Sequence, residues 1–353
     1  MPGRCFELNE LEVLTAKCSD PPAQQPGNGF DTEGRAIPRF TWMAEIALIC
    51  FTLYSGAYHA FASLLSGVGF SPAWDSALVW IYYLARCAGC LGILGFILDR
   101  HRRQRRAAHE MSCVASGESC AWRRACEVAL VLWVAFGLSI FHSLQLLSEG
   151  ATVADWPSSF AWTNEVWDIC RKAASLLLLG YVLYLNGCRF SDLGFTWNRW
   201  QCAMALPLIV GITVAYLVWL PLVSWATAFA AGFHFPAPDL GPYFYGERIL
   251  FISVFAAVTN GFFEELIVRA YLMTQLERLW RSKLLAAAAS VIVQVSYHFY
   301  QGTPAALGHI AAFSIMALYY SRTRRILPVA LAHVFLDLLP MILYAARLKP
   351  PYE

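Results

Sequence analysis

Long apolar stretches alternate with short charged ones along this chain, and that alternation fixes the solvent it can fold in. The stretches lie near residues 42–66, 73–98, 125–147, 168–187, 202–224, 248–273, 284–300, 305–320 and 326–345. About 20 mostly apolar residues make one helical crossing of a bilayer. Charged residues are only 14% of the 353 and hydrophobic ones 58%, whereas a soluble domain carries about 25% charged residues. The reading is an all-α, polytopic integral membrane bundle of nine spans, or eight if one stretch is re-entrant or interfacial. Stretches 284–300 and 305–320 are short, and Gly302-Thr-Pro304 joins them tightly. The basic residues flank apolar segments, as membrane topology requires, so nothing points to nucleic acid.

Residues 1–41 are polar, with Pro21-Pro22 and the run Gln24 to Gly29, and are expected to form a flexible tail. The first apolar stretch starts too far in and runs too long for a cleavable signal peptide. Arg100, Arg102, Arg103, Arg105, Arg106, Arg123 and Arg124 mark one cytoplasmic loop. Arg189 and Arg199, then Arg278, Arg281 and Lys283, then Arg322, Arg324 and Arg325 mark the others, which puts the N-terminus in the cytoplasm. Arg171-Lys172, near the outer end of the fourth stretch, runs against this count, as do Arg347 and Lys349 in the tail 346–353.

The eleven cysteines form no disulfide framework. Cys50, Cys87, Cys90, Cys126, Cys170 and Cys202 lie within or beside apolar runs as small hydrophobes. Cys87-Ala-Gly-Cys90 has no second ligand pair and is assigned to helix packing. Cys113 and Cys120, in the basic loop, are at most palmitoylation sites.

Chemistry concentrates in the last third. Glu264 and Glu265 stand side by side in an apolar stretch, where carboxylates are costly and mark function. Glu265 and Arg269 are four apart and can pair along one helix, which leaves Glu264, about 100° round the helix, to point elsewhere. His333 and Asp337, also four apart, share a second ridge, and His298 comes from a third stretch. Carboxylate and imidazole together can activate water for attack on a carbonyl. A second imidazole can hold the oxyanion. Arg269 would help keep one glutamate charged. Arg86, mid-span, is expected to reach a structural partner, His59 and His142 to be core residues, and His309 to stand outside the site.

Glu264-Glu265-x-x-x-Arg269, a later histidine and His333-x-x-x-Asp337 together resemble the CPBP intramembrane protease family, which includes type II CAAX prenyl endopeptidases and Abi-like proteins. Its pattern is written EExxxR, FxxxH and HxxxN or HxxxD. Here the second motif reads Gln294-Val-Ser-Tyr-His298, with Gln in place of Phe. The segment Arg322 to His333 is also similar to the family's approach to its last motif. The resemblance covers residues 248–345, read as a catalytic transmembrane core. Residues 42–247 hold helices of unassigned role.

The resemblance implies an intramembrane endopeptidase in which Glu264 activates water with help from His298, His333 and Asp337 hold the oxyanion, and Glu265 and Arg269 brace the helix. Its implied partners are membrane lipid and a peptide or lipidated protein. A glutamate-type mechanism without cofactor is favoured. Zinc takes three protein ligands and a water, and Glu264, His298 and His333 could supply them. The alternative function is a non-enzymatic transporter or scaffold that keeps the Glu/His/Asp network as a structural or proton-relay element.

Overall fold

A computed structural model describes residues 43–52, 88–101, 117–149, 162–186, 188–231 and 251–348. The tail 1–41, His59, Arg86, Cys87 and Cys113 lie outside the described residues, as does most of the loop that follows Arg100. All regular structure among the described residues is helical.

The rods, in chain order, are α1 (Met43–Thr52), α2 (88–101) and α3, in which Gly117–Leu132 and Leu138–Glu149 flank a π-helical turn, Trp133–Gly137. Then come α4 (Trp162–Leu185) and α5 (Arg199–Ala231). Next is α6, composed of Phe251–Glu264, a π-helical segment Glu265–Met273 and Thr274–Trp280. The last are α7 (Lys283–Ser296), α8 (Thr303–Thr323) and α9 (Leu327–Leu348). Each apolar stretch of the sequence thus carries helix.

Among the described residues, four rods are long and apolar enough to cross a membrane: Trp122–Ser148, Arg199–Phe229, Phe251–Trp280 and Leu327–Ala346. Three of the others, α4, α7 and α8, fall short for physical reasons. The 14 residues of α7 rise about 21 Å, less than the roughly 30 Å of hydrocarbon. The first half of α4 holds Asp168, Arg171 and Lys172. Along α8, Gly308, His309, Ser314, Tyr319, Tyr320 and Ser321 interrupt the apolar run. On α5 a full face of Leu206, Val210, Val214, Leu217, Val218, Trp225 and Phe229 is exposed. A surface like that suits lipid, and with the four long apolar rods the chain is an integral membrane protein.

The bundle core is built from α6 to α9. The first half of α6 lies along α9, α7 packs on the π-helical segment and on α8, and α5 covers α8 and α9. Small residues set the closest approach. A Cβ on Gly261 would stand 2.7 Å from both the Val334 nitrogen and Val334 Cγ2, so only glycine lets α6 meet α9 at this level. The contact falls one turn before Glu264 and beside His333, and it brings the two ridges together. At the opposite end, Gly194, with φ of +81°, accepts Ile326 N–H at 3.3 Å and ties the 188–198 loop to the turn between α8 and α9.

Arg171 and Lys172 do not behave as loop charges. Both pair with Asp168, at 2.6 and 2.5 Å, and Arg171 also donates to the Ala135 carbonyl and lies 5.7 Å over the Phe263 ring. Their departure from the loop-charge pattern follows from this inward pairing.

Candidate active site

The π-helical segment begins at Glu265, directly after Glu264. A π turn holds more residues than an α turn, so the angular step between neighbours shrinks. The consequence differs from the expectation for an ideal α-helix. Glu264 and Glu265 do not diverge; both carboxylates converge on the side chain of Gln294. Its amide donates to Glu264 Oε2 at 3.1 Å and to Glu265 Oε1 at 3.2 Å. Gln294 is fully buried, as are Glu265 and Arg269.

Glu264 receives two further donors. Tyr297 O–H donates to Oε2 at 2.6 Å, and Asn260 Nδ2 donates to Oε1 at 3.0 Å. The same Asn260 amide donates to Asp337 Oδ2 at 3.0 Å, so it spans α6 and α9. A carboxylate offers about four acceptor positions. On Glu264, Oε2 has both of its positions in use and Oε1 has one left.

His333 Nδ1 lies 2.7 Å from Glu265 Oε1. A carboxylate only accepts, so Nδ1 carries the proton. The ring's other nitrogen, Nε2, then lies between two carboxylates, 3.8 Å from Glu264 Oε2 and 3.7 Å from Asp337 Oδ1. Both separations exceed hydrogen-bond length. The Asp337 side chain is 27% exposed, against 7% or less for those of Glu264, Glu265 and His333. The site therefore opens along Asp337.

His298 sits where helix α7 breaks. The helix ends at Ser296, and His298 leads into a 3₁₀ turn, Phe299–Gln301, before α8. A helix end leaves carbonyls without helical partners, and His298 Nδ1 donates to one of them, Gln294 O, at 2.6 Å. Its Nε2 is left with the lone pair. Irregular backbone at membrane depth is tolerated where protein surrounds it; here the neighbours of the His298 ring include Tyr297, His309 and Phe313, with centroids 4.7, 5.1 and 5.1 Å away. His309, expected outside the site, forms part of its wall and meets Gln301 Oε1 at 2.8 Å.

Glu265 and Arg269 are an ion pair, yet a loose one: Nε and Oε2 are 3.7 Å apart. The guanidinium spends its hydrogen bonds elsewhere, on Ser290 Oγ at 2.6 Å, the Phe313 carbonyl at 3.2 Å and Gln294 Oε1. Arg269 thus clamps α7 and α8 to α6 and holds Glu265 only from a distance.

Earlier helices wall the site. Phe136, in the π-helical turn of α3, stacks on Tyr297 with centroids 4.6 Å apart and planes 6° from parallel, and it meets Phe263 at 5.1 Å. Asn260 and Tyr297 drew no role from the sequence and Gln294 stood only as a departure from the motif, although Asn260 and Gln294 each left a signal. Asn260 is four before Glu264 and Gln294 is four before His298, so each shares a helical face with a motif residue. An uncompensated amide is as costly at membrane depth as anywhere apolar.

Among the described residues no three His, Cys, Asp or Glu side chains are grouped to hold a metal. The acceptor positions of Glu264 Oε2 are already filled by Tyr297 and Gln294.

No curated protein and no solved structure matches the chain. Residues 246–339, the segment that gathers Glu264, Glu265, His298, His333 and Asp337, match the family described as type II CAAX prenyl endopeptidase Rce1-like, in agreement with the motif resemblance.

Proposed function

We propose that this protein is an intramembrane endopeptidase that hydrolyses a peptide bond of a membrane-associated, prenylated substrate by glutamate-activated water. One observation carries the reading: Glu264 is held by three neutral donors with a single acceptor position left, on Oε1, and no cation lies within hydrogen-bond length of it. A carboxylate so held is fixed in place with one lone pair open to a water.

In the proposed reaction, water donates one hydrogen to Glu264 Oε1, and the His298 Nε2 lone pair accepts the other. As the water oxygen bonds to the carbonyl carbon, Glu264 takes the proton. The carbonyl electrons move to oxygen, and His333, protonated on both nitrogens, donates to that oxyanion from Nε2. Glu265 keeps the His333 ring oriented through Nδ1. Asp337 balances the imidazolium charge at the mouth of the site. Collapse of the tetrahedral intermediate breaks the C–N bond, and Glu264 passes its proton to the leaving amine. The products are an acid and an amine, and Glu264 returns as carboxylate.

Loop arginines support a cytoplasmic N-terminus, which accessibility labelling of a cysteine introduced into the 1–41 tail would check. The catalytic reading is tested with protein in lipid vesicles and a farnesylated peptide ending in cysteine, two aliphatic residues and one variable residue. Glu264→Gln should reduce cleavage by about 10²- to 10⁴-fold, the range for loss of a general base, and leave the thermal unfolding transition in place. Cleavage at the wild-type rate by folded Glu264→Gln overturns the mechanism.

A further inference from the structure

Gln294, where the motif is written with Phe, touches Glu264, Glu265, Arg269 and His298. Gln294 donates from Nε2 to Glu264 Oε2 at 3.1 Å and to Glu265 Oε1 at 3.2 Å, while its Oε1 accepts from Arg269. Its backbone carbonyl accepts His298 Nδ1 at 2.6 Å. It is fully buried, so none of these bonds is exchanged for water.

The direction of the amide is dictated by its surroundings. A guanidinium only donates, so the amide oxygen must face Arg269 and the NH₂ must face the carboxylates. Each amide hydrogen then goes to a different glutamate. On Glu264 this bond and that from Tyr297 fill Oε2 and direct the open position to Oε1. On Glu265 it lies beside the His333 contact, on the same Oε1, and biases that oxygen toward the imidazole.

We propose that Gln294 is the positioning residue of this site: its amide, aimed by Arg269, assigns the two adjacent glutamates their separate tasks, water activation for Glu264 and imidazole orientation for Glu265. The inference rests on the proposed peptidase reading. It is specific to a carboxamide. An aromatic or aliphatic side chain could fill the space but not donate to two carboxylates. A carboxylate would repel them, and the shorter Asn would not reach from α7.

The test uses the full chain in vesicles, the farnesylated peptide, and three variants measured side by side: Gln294→Met, Gln294→Glu and Glu264→Gln. Gln294→Met is expected to lower kcat roughly 10- to 100-fold, as misplacement of a reacting group does, with KM within about threefold of wild type and the folded fraction retained. Gln294→Glu is expected to recover activity as pH falls, because its protonated form can still accept from Arg269 and donate to one glutamate. It should lose activity as pH rises and a third carboxylate forms. Wild-type kcat and pH profile in Gln294→Met, with Glu264→Gln inert, overturns the inference and spares the peptidase reading. A loss in Gln294→Met that only tracks unfolded protein overturns it as well, in favour of a structural role. An active Glu264→Gln removes the reading beneath it.

Discussion

Two buried acids in this protein are partnered in opposite ways. Glu45, on α1, is 6% exposed and takes a guanidinium directly: Arg100 from α2 donates to Oε1. Tyr181 O–H from α4 donates to the same oxygen at 2.5 Å, and His101 Nε2 lies 3.1 Å from Oε2. Glu264 is 5% exposed but takes only neutral donors, Asn260, Gln294 and Tyr297, and its nearest imidazole nitrogen is 3.8 Å off. Glu45 ties three helices together and spends its charge on the tie. Glu264 is held as firmly, yet its charge is not cancelled by a direct cation. Burial alone therefore does not set Glu264 apart from Glu45; the charge of what binds it does.

The contrast predicts opposite failures. Arg100→Ala leaves Glu45 buried without its cation, and removing one partner of such a pair costs about 3–5 kcal/mol. Unfolding in detergent should show that loss, and turnover per folded molecule should stay at the wild-type value. If instead turnover collapses in the folded fraction, the Glu45 cluster belongs to the chemistry and the comparison breaks. His333→Ala is the converse: cleavage should fall about 10²- to 10³-fold, the loss typical of one oxyanion donor, with the unfolding midpoint moved far less than by Arg100→Ala.

Smaller effects sharpen the same contrast. Gly261→Ala puts a methyl 2.7 Å from the Val334 nitrogen and should cost about 1–3 kcal/mol of stability, as overpacking does. Because the strain pushes α6 from α9, turnover of the folded protein should fall too, which calorimetry and the cleavage assay together would detect. The smallest effect is expected for Phe136→Leu. It removes the stack on Tyr297, worth about 0.5–1.5 kcal/mol, and loosens the phenol that holds Glu264. A drop in kcat with unchanged KM would show that α3 supports the site from outside the matched segment. Unchanged kcat would confine it to packing.

The motif residues were legible because each is a charged or imidazole group in a run that should hold none, and their spacings of four place them on shared faces. The residues that hold them were not. Gln294 and Asn260 are uncharged and stand singly, and what they do depends on α7 and α9 arriving from 30 and 77 residues away along the chain. The π-helical segment was invisible for a related reason: Glu265–Met273 is as apolar and as regular in pattern as an α-helix would be. Its wider turn changed the outcome, since an α-helical step would have sent Glu264 and Glu265 apart. The break in α7 before His298 was hidden because Tyr297, His298 and Phe299 continue an aromatic, apolar run. Arg171 and Lys172 were read as running against the loop charges because their partner, Asp168, lies on their own helix and Arg171's contacts with Ala135 and Phe263 lie on others.

The central claim is that Glu264, acting without a metal, makes the nucleophile. Single-turnover cleavage of the farnesylated peptide after exhaustive chelation tests it most directly, with wild type and Glu264→Gln compared in the same vesicles. The account predicts an unchanged rate constant for the chelated wild type and one about 10²- to 10⁴-fold lower for folded Glu264→Gln. Loss of wild-type cleavage on chelation, restored by added zinc, would contradict it.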